Sequence, residues 1–263
     1  MRFSETTVIV TGGGSGIGAE ICRRFAQEGA AVAVADIDGP AARRLAEEIG
    51  GRGGTAFAVR ADVSDPAQVS AMTSEVISRT GQVDVLVNNA SNRPGDDLLA
   101  MSVQDWDRDV AVSLRGPFLC MRSVLPLMLA RGRGVLVSIA SVNALGFYGN
   151  EAYSAAKAGL ISLTRSVAVR YGARGIRANA IALGTVATPI WSARIAIEPA
   201  ILERAAAWYP VQRVGEPGDA ASAALFLASP EASWITGAVL AVDGGLSAGS
   251  YRMTAELVRE SSW

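Results

Sequence analysis

The chain reads as short apolar runs separated by longer stretches of helical period. The runs TTVIVT (6–11), AVAVAD (31–36), TAFAVR (55–60), VDVLVN (83–88), GVLVSI (134–139), RANAIA (177–182) and AVLAVD (238–243) are continuous rather than alternating. Continuity predicts strands covered on both faces, because a strand with one wet face shows a polar residue at every second position. Helical patterns lie between them, among them IGAEICRRFAQEG (17–29) and AARRLAEEIG (41–50). Asp65-Pro66 predicts a further helix start, with Asp as N-cap and Pro in the first turn. Strand–helix alternation implies right-handed crossovers, so the expected fold class is α/β, a doubly wound parallel sheet of about seven strands. Residues 184–214 break the alternation, and predict a lid over the carboxyl edge of the sheet, where open α/β sheets place their ligands. No internal repeat, low-complexity tract or Pro/Ser-rich linker divides the chain, which predicts one domain.

Composition acts mainly by exclusion. Of the 263 residues 50% are hydrophobic and 19% charged, enough to bury a large core. A formal net charge of −1 gives no electrostatic reason to expect nucleic acid or an anionic membrane as partner. No run approaches the ~18 uninterrupted apolar residues that read as a membrane span. The N-terminus MRFSETTVIVTGGG carries Glu5 and too short an apolar run for a signal peptide. Cys22 and Cys120 fall in separate helical segments, form no metal-ligand cluster, and read as small apolar fillers in a reducing compartment. The expectation is a cytoplasmic protein without a metal site. The chain also has no histidine, the one side chain whose unperturbed pKa lies between about 5 and 8. Any general acid or base is therefore a carboxylate, Lys, Cys or Tyr with a displaced pKa.

The first predicted strand runs directly into TGGGSGIG (11–18), which opens a helix. Gly12, Gly14, Ser15, Gly16, Ile17 and Gly18 make a loop whose backbone can approach a diphosphate, and the helix N-terminus adds free N–H groups and partial positive charge. The spacing is Gly12-xxx-Gly16-x-Gly18; the G-x-G-x-x-G fingerprint does not fit, because Ile17 stands in the third glycine's place. A plain tight turn is the bland alternative, and a methyltransferase could use such a loop. Asp36 ends the second strand 18 residues after Gly18, close to the ~20-residue offset of a ribose-binding carboxylate. That carboxylate can accept both ribose hydroxyls and repels a 2′-phosphate. Ile37 follows, and the loop holds no Lys or Arg to attract one. NAD over NADP is the expected cofactor, with a helix-capping role for Asp36 as the alternative.

Together with Ser141, Tyr153 and Lys157, these residues give the chain its resemblance to the short-chain dehydrogenase/reductase family. TGGGSGIG, ADV (61–63), NNA (88–90), SIAS (138–141), YSAAK (153–157), NAIALG (179–184) and ITGAVLAVDGG (235–245) occur in that family's order and spacing, over about residues 5–246. The resemblance implies a Rossmann-type catalytic domain over 1–246, with a tail over 247–263. It implies an NAD(P)-dependent oxidoreductase acting on CH–OH groups, assembled as a homotetramer or homodimer through the middle helices, about 102–130 and 151–171. It further implies that Asp62 and Val63 hold the adenine, and that Asn88, Asn89 and Ala90 line the cofactor cleft. Ile181 to Gly184, Val186 and Thr188 would flank the nicotinamide.

Tyr153 and Lys157 are one helical turn apart and share a face. A free phenol, with a pKa of about 10, is too weak a base at neutral pH. Lowering it by ~2–3 units needs about 3–4 kcal/mol, which a cation ~4 Å away at an effective dielectric of about 20 supplies. In oxidation Tyr153 would take the hydroxyl proton as hydride leaves the carbinol carbon; in reduction it would return it. The resemblance assigns Ser141 to the substrate oxygen and gives Lys157 the ribose hydroxyls as a second task.

Three positions depart from the family's pattern. Ser113 stands where Asn is usual, in a proton relay that runs partly through the backbone carbonyl. Ser91 replaces Gly beside the substrate, and Leu183 replaces Pro at the nicotinamide-side turn. These changes keep a second function open, a dinucleotide-binding scaffold or regulatory protein with little catalysis. The substrate expectation is a medium-sized secondary alcohol or ketone. Its apolar pocket would come from Ile190, Trp191, Ile195, Ile197, Trp208 and Tyr209 of the lid and Leu145, Phe147 and Tyr148 after Ser141. Packing of the lid itself is the alternative use of those residues. Asp96 and Asp97 are candidate contacts for a polyol or a cation, or simply solvated loop. Sugar, steroid, hydroxy acid and oxoacyl thioester all stay open.

Overall fold

The computed structural model describes residues 1–92, 98–250 and 253. Asp96, Asp97 and most of the tail therefore lie outside the described residues. Among the described residues seven parallel strands form one sheet: β1 (Thr7–Thr11), β2 (Ala31–Asp36), β3 (Thr55–Arg60), β4 (Val85–Asn88), β5 (Gly134–Ser141), β6 (Ile176–Leu183) and β7 (Val239–Val242). Their order is β3-β2-β1-β4-β5-β6-β7. Every predicted run is a strand, with ends displaced by at most two residues.

The continuous apolar runs have a direct cause. Val8 and Val10 enter one hydrophobic layer and Ile9 the other; Val32 and Val34 separate from Ala33 and Ala35 in the same way. Helices α1 (Gly16–Gln27), α2 (Gly39–Gly51) and α9 (Pro217–Ala228) cover one face, bringing Phe25, Leu45 and Leu225. Helices α3 (Pro66–Thr80), α5 (Gly116–Arg131) and α6 (Glu151–Tyr171) cover the other, bringing Met72, Met128 and Leu160. Asp65 caps α3 as expected, its carboxylate accepting from Ala67 N at 2.8 Å. Helix α2 is capped by Asp38, which accepts from Ala41 N at 3.0 Å. Asp36 is thus freed from the capping role.

The helix expected over about 102–130 is interrupted. Helix α4 (Val103–Val110) passes into a π-helical turn (Ala111–Arg115), and α5 follows. Gly116 N donates five residues back, to Ala111 O. Pro117 has no N–H with which to resume the four-residue spacing onto Ser113 O. The run Val103–Arg131 has the length and hydropathy of a membrane span. In this fold one side of it is buried against the sheet, through Cys120, Met121, Val124 and Met128.

The 184–214 segment carries α7 (Ser192–Ile197) and α8 (Ile201–Ala206), and its base is closed by a bridge between Val186 and Gly215. It lies over the carboxyl ends of the strands, where its residues wall the cavities described next.

Candidate active site

The strand order reverses at β1, which has β2 on one side and β4 on the other. The crevice beyond such a reversal is where doubly wound sheets hold ligands. Two cavities open there. The first, of about 610 Å³, is walled by Gly12, Ser15, Gly16, Ile17, Asp36, Ile37, Asp62, Val63, Asn89, Ala90 and Thr188. The second, of about 530 Å³, is walled by Ser141, Tyr153, Lys157, Gly184, Val186 and Thr188. Ile17, Asn89, Ser91, Asn92, Thr188 and Ile190 belong to both, so a single partition separates them.

The loop's shape follows from what its glycines leave out. A Cβ on Gly18 would collide with Gly12 O, so only hydrogen lets α1 pack back on the loop. Gly12 has φ +62°, and a Cβ there would come within 2.9 Å of Ala90 Cα. Asn89 clamps the loop to the sheet by donating from Nδ2 to Thr11 O at 2.9 Å and Gly12 O at 3.0 Å. Gly14 and Gly18 do not wall the cavity. Gly14 N instead donates to Asp36 Oδ2 at 2.8 Å, while Asp38 N donates to Oδ1 at 2.9 Å. The carboxylate is thereby fixed at the cavity wall. Asp62, opposite, accepts from Ser64 N at 2.8 Å and Ser64 Oγ at 2.7 Å.

Three expected wall residues are corrected. Asn88 lies within β4 at 2% exposure and walls neither cavity; its amide atoms find no hydrogen-bond partner among the described residues. Ile181 and Ala182 are buried β6 core, because that strand reaches the cavity only at its end, with Leu183 and Gly184. Of the lid and loop hydrophobics, Ile190, Trp191, Trp208, Tyr209 and Tyr148 reach the second cavity, whereas Ile195, Ile197, Leu145 and Phe147 do not.

Ser141 ends β5, and its hydroxyl donates to Asn143 Oδ1 at 3.0 Å while accepting from Asn143 N at 3.2 Å. Lys157 is 2% exposed; its Nζ donates to Ile139 O at 2.7 Å and stands 5.4 Å from the centre of the Tyr153 ring. Burial draws the Lys157 ammonium down to about 8. Burial also raises the Tyr153 phenol, against the lowering by hydrogen bonding with the Ser141 and Ser91 hydroxyls, and the Asp109 charge raises it further. The sequence expectation, a phenol drawn down by its lysine, is therefore corrected. Desolvation dominates, because the same burial that brings the pair together strips both of water.

Sequence reasoning missed several wall residues. Asn143 holds Ser141 and donates to Gly149 O at 2.7 Å, tying β5 to the start of α6; its place two residues after Ser141 was the available signal. Asn92, Thr185 and Leu246 wall the second cavity, and Arg108 the first. These lie on loops or on α4, outside any motif, and only the fold brings them in. No group of three or more His, Cys, Asp or Glu among the described residues is placed to hold a metal ion.

Known proteins match this architecture along its whole length. A family model described as enoyl-(acyl carrier protein) reductase matches residues 12–247. An uncharacterized oxidoreductase of Schizosaccharomyces pombe is 41% identical over 263 residues, covering 100% of this chain and 98% of that protein. The cis-4-hydroxycyclohexanecarboxylate dehydrogenase of Sinomonas cyclohexanicum is 41% identical over 249 residues, 94% of this chain and 98% of its own. A crystal structure of an oxidoreductase of the short-chain dehydrogenase/reductase family from Burkholderia thailandensis superposes with a TM-score of 0.91 at 40% identity, covering 98% and 99% of the two chains. With a family model over most of its length and relatives of about 40% identity matched nearly end to end, the chain belongs to the short-chain dehydrogenase/reductase family of NAD(P)-dependent oxidoreductases acting on CH–OH groups.

Proposed function

We propose that this chain interconverts an uncharged, medium-sized secondary alcohol and its ketone, using NAD and Tyr153 as the proton carrier. One observation supports it most: the cavity holding Ser141, Tyr153 and Lys157 shares a wall with the cavity holding the glycine loop and Asp36. A dinucleotide fits the second of these. The loop closes too tightly for side chains at Gly12 and Gly18, and α1 presents its N-terminal N–H groups there, its N-cap Ser15 making no side-chain capping bond. When bound, the nicotinamide supplies the hydride acceptor or donor.

The chain's own residues do the rest. Ser141 presents a hydroxyl to the substrate oxygen, and Tyr153 Oη takes the alcohol proton in oxidation or returns it in reduction. Lys157, with a value near 8, is largely charged at neutral pH and favours the phenolate. Leu183 to Thr185 and Trp191 wall the substrate side of the site. Asp36, already fixed by two backbone N–H groups, meets ribose hydroxyls and opposes a 2′-phosphate by like charge; tighter NADPH than NADH binding overturns that preference. Substrate class follows from lining: among its described residues, Lys157 is the one formally charged side chain in the second cavity, beside Tyr148, Ile190, Trp191, Trp208 and Tyr209. The relative from Sinomonas, named for a ring-borne hydroxyl, suits such walls. Two buried free thiols, Cys22 and Cys120, support a reducing cytoplasm, and exposed apolar side chains on α5 and α6 support a homotetramer or homodimer.

Tyr153→Phe tests the assignment. Followed at NADH absorbance with a panel of secondary alcohols, turnover should fall by roughly 10²–10⁴-fold with NADH binding retained. Wild-type turnover in that variant overturns the mechanism. A wild-type chain that binds NADH but turns over no alcohol or ketone favours the scaffold reading.

A further inference from the structure

Ser91 follows β4 by three residues and stands in the partition between the two cavities. Its Oγ lies 3.4 Å from Ser113 Oγ. Ser113 is fully buried inside the π-helical turn. A serine within a helix commonly returns its hydroxyl to the carbonyl four residues back; Ser113 reaches across to Ser91. A hydroxyl carries one proton and two lone pairs. Asn92 O lies 3.3 Å from the Ser91 Oγ and can take its proton. When Ser113 donates to Ser91, that proton can turn instead toward the Tyr153 phenol, which walls the same cavity and is drawn down by hydrogen bonding with Ser91.

We propose that Ser91 is a second catalytic hydroxyl on the Tyr153 phenol, working beside Ser141, and that Ser113 is the positioning residue that aims it. This rests on the acid–base reading of Tyr153 given above. Each element around the phenol brings one group: Ser141 from β5, Ser91 from the loop after β4, Asp109 from α4 and Lys157 from α6. Asp109 is itself held by Asn92 Nδ2 at 2.7 Å. Burial and the Asp109 charge disfavour the phenolate, and the two serine hydroxyls oppose them. Losing either hydroxyl therefore leaves burial less opposed. The 3.4 Å separation exceeds the usual hydroxyl pair of about 2.7–2.8 Å, and catalytic hydrogen bonds of this kind shorten when substrate arrives.

The test is the pH profile of kcat/KM for alcohol oxidation, with ultraviolet titration of the tyrosinate in the NAD-bound protein as a readout independent of turnover. The Tyr153→Phe titration is subtracted to isolate this phenol. Ser91→Ala should move the ascending limb and the tyrosinate titration up by about one pH unit, and Ser91→Gly should do the same. Ser91→Thr, which keeps the hydroxyl, should restore both. Ser113→Ala should move them in the same direction by less. The double variant should match Ser91→Ala alone, because the two hydroxyls act in series. An unmoved limb and titration in Ser91→Ala and Ser91→Gly overturn the proposal, as does an additive double variant. Loss of turnover in Tyr153→Phe alongside an unmoved Ser91→Ala profile removes this proposal and leaves the acid–base reading standing.

Discussion

A lysine ammonium sealed at 2% exposure is disfavoured by its surroundings, and Lys157 sits at about 8 against an ordinary 10.5 for that reason. Its folded value is the lower one. Between the two values the unfolded chain binds the proton and the folded chain does not, so stability rises with pH across that window. A gain of about 3 kcal/mol is the order expected. Urea denaturation of the wild type and of Lys157→Met from pH 8 to 10 checks it: the difference between the curves should grow in the wild type's favour with pH. A constant difference overturns the burial argument. The raised phenol has a companion consequence at the same scale. On the proposed mechanism, alcohol oxidation should gain from alkaline conditions and ketone reduction from neutral ones, since burial favours the protonated tyrosine.

At the scale of elements, the loop between β1 and α1 and the π-helical turn between α4 and α5 decide where chemistry sits. Gly18→Ala should displace the loop, because a methyl at that position has Gly12 O and the Asn89 amide in its way. The expected result is NADH affinity lowered by at least tenfold and stability lowered by about 1–3 kcal/mol, read by fluorescence titration and urea denaturation. Unchanged NADH binding would show that the close packing does not shape the cradle. The glycine loop, Asp36 and the Tyr–Lys pair were legible in the sequence, since each depends on local spacing alone. The π-helical turn was not, because a one-residue insertion leaves no mark beyond Pro117 in the residue pattern of a 29-residue helical stretch. Asn88 was misplaced for a related reason: adjacent strand residues point to opposite sides, and motif order does not say which of Asn88 and Asn89 faces the cleft.

For the molecule as a whole, seven strand positions and the doubly wound topology were readable because both sheet faces are covered and the runs are therefore continuous. Wall residues supplied by distant loops were not, since no periodicity carries them. Quaternary structure belongs to this scale. Trp234 is 98% exposed and Val169 86% exposed, and Phe118, Leu125, Leu129, Leu163 and Tyr171 line an open groove between α5 and α6. Large apolar surfaces of this kind mark contacts between chains. Sedimentation should show two or four times the 27.2 kDa of one chain, and Val169→Glu together with Trp234→Glu should lower that mass. A monomer across the micromolar range overturns the assembly.

The six residues common to both cavities have a thermodynamic corollary. A wall that two guests touch cannot settle against one without altering its fit to the other. Whatever factor the ketone adds to dinucleotide affinity, the dinucleotide must return to the ketone.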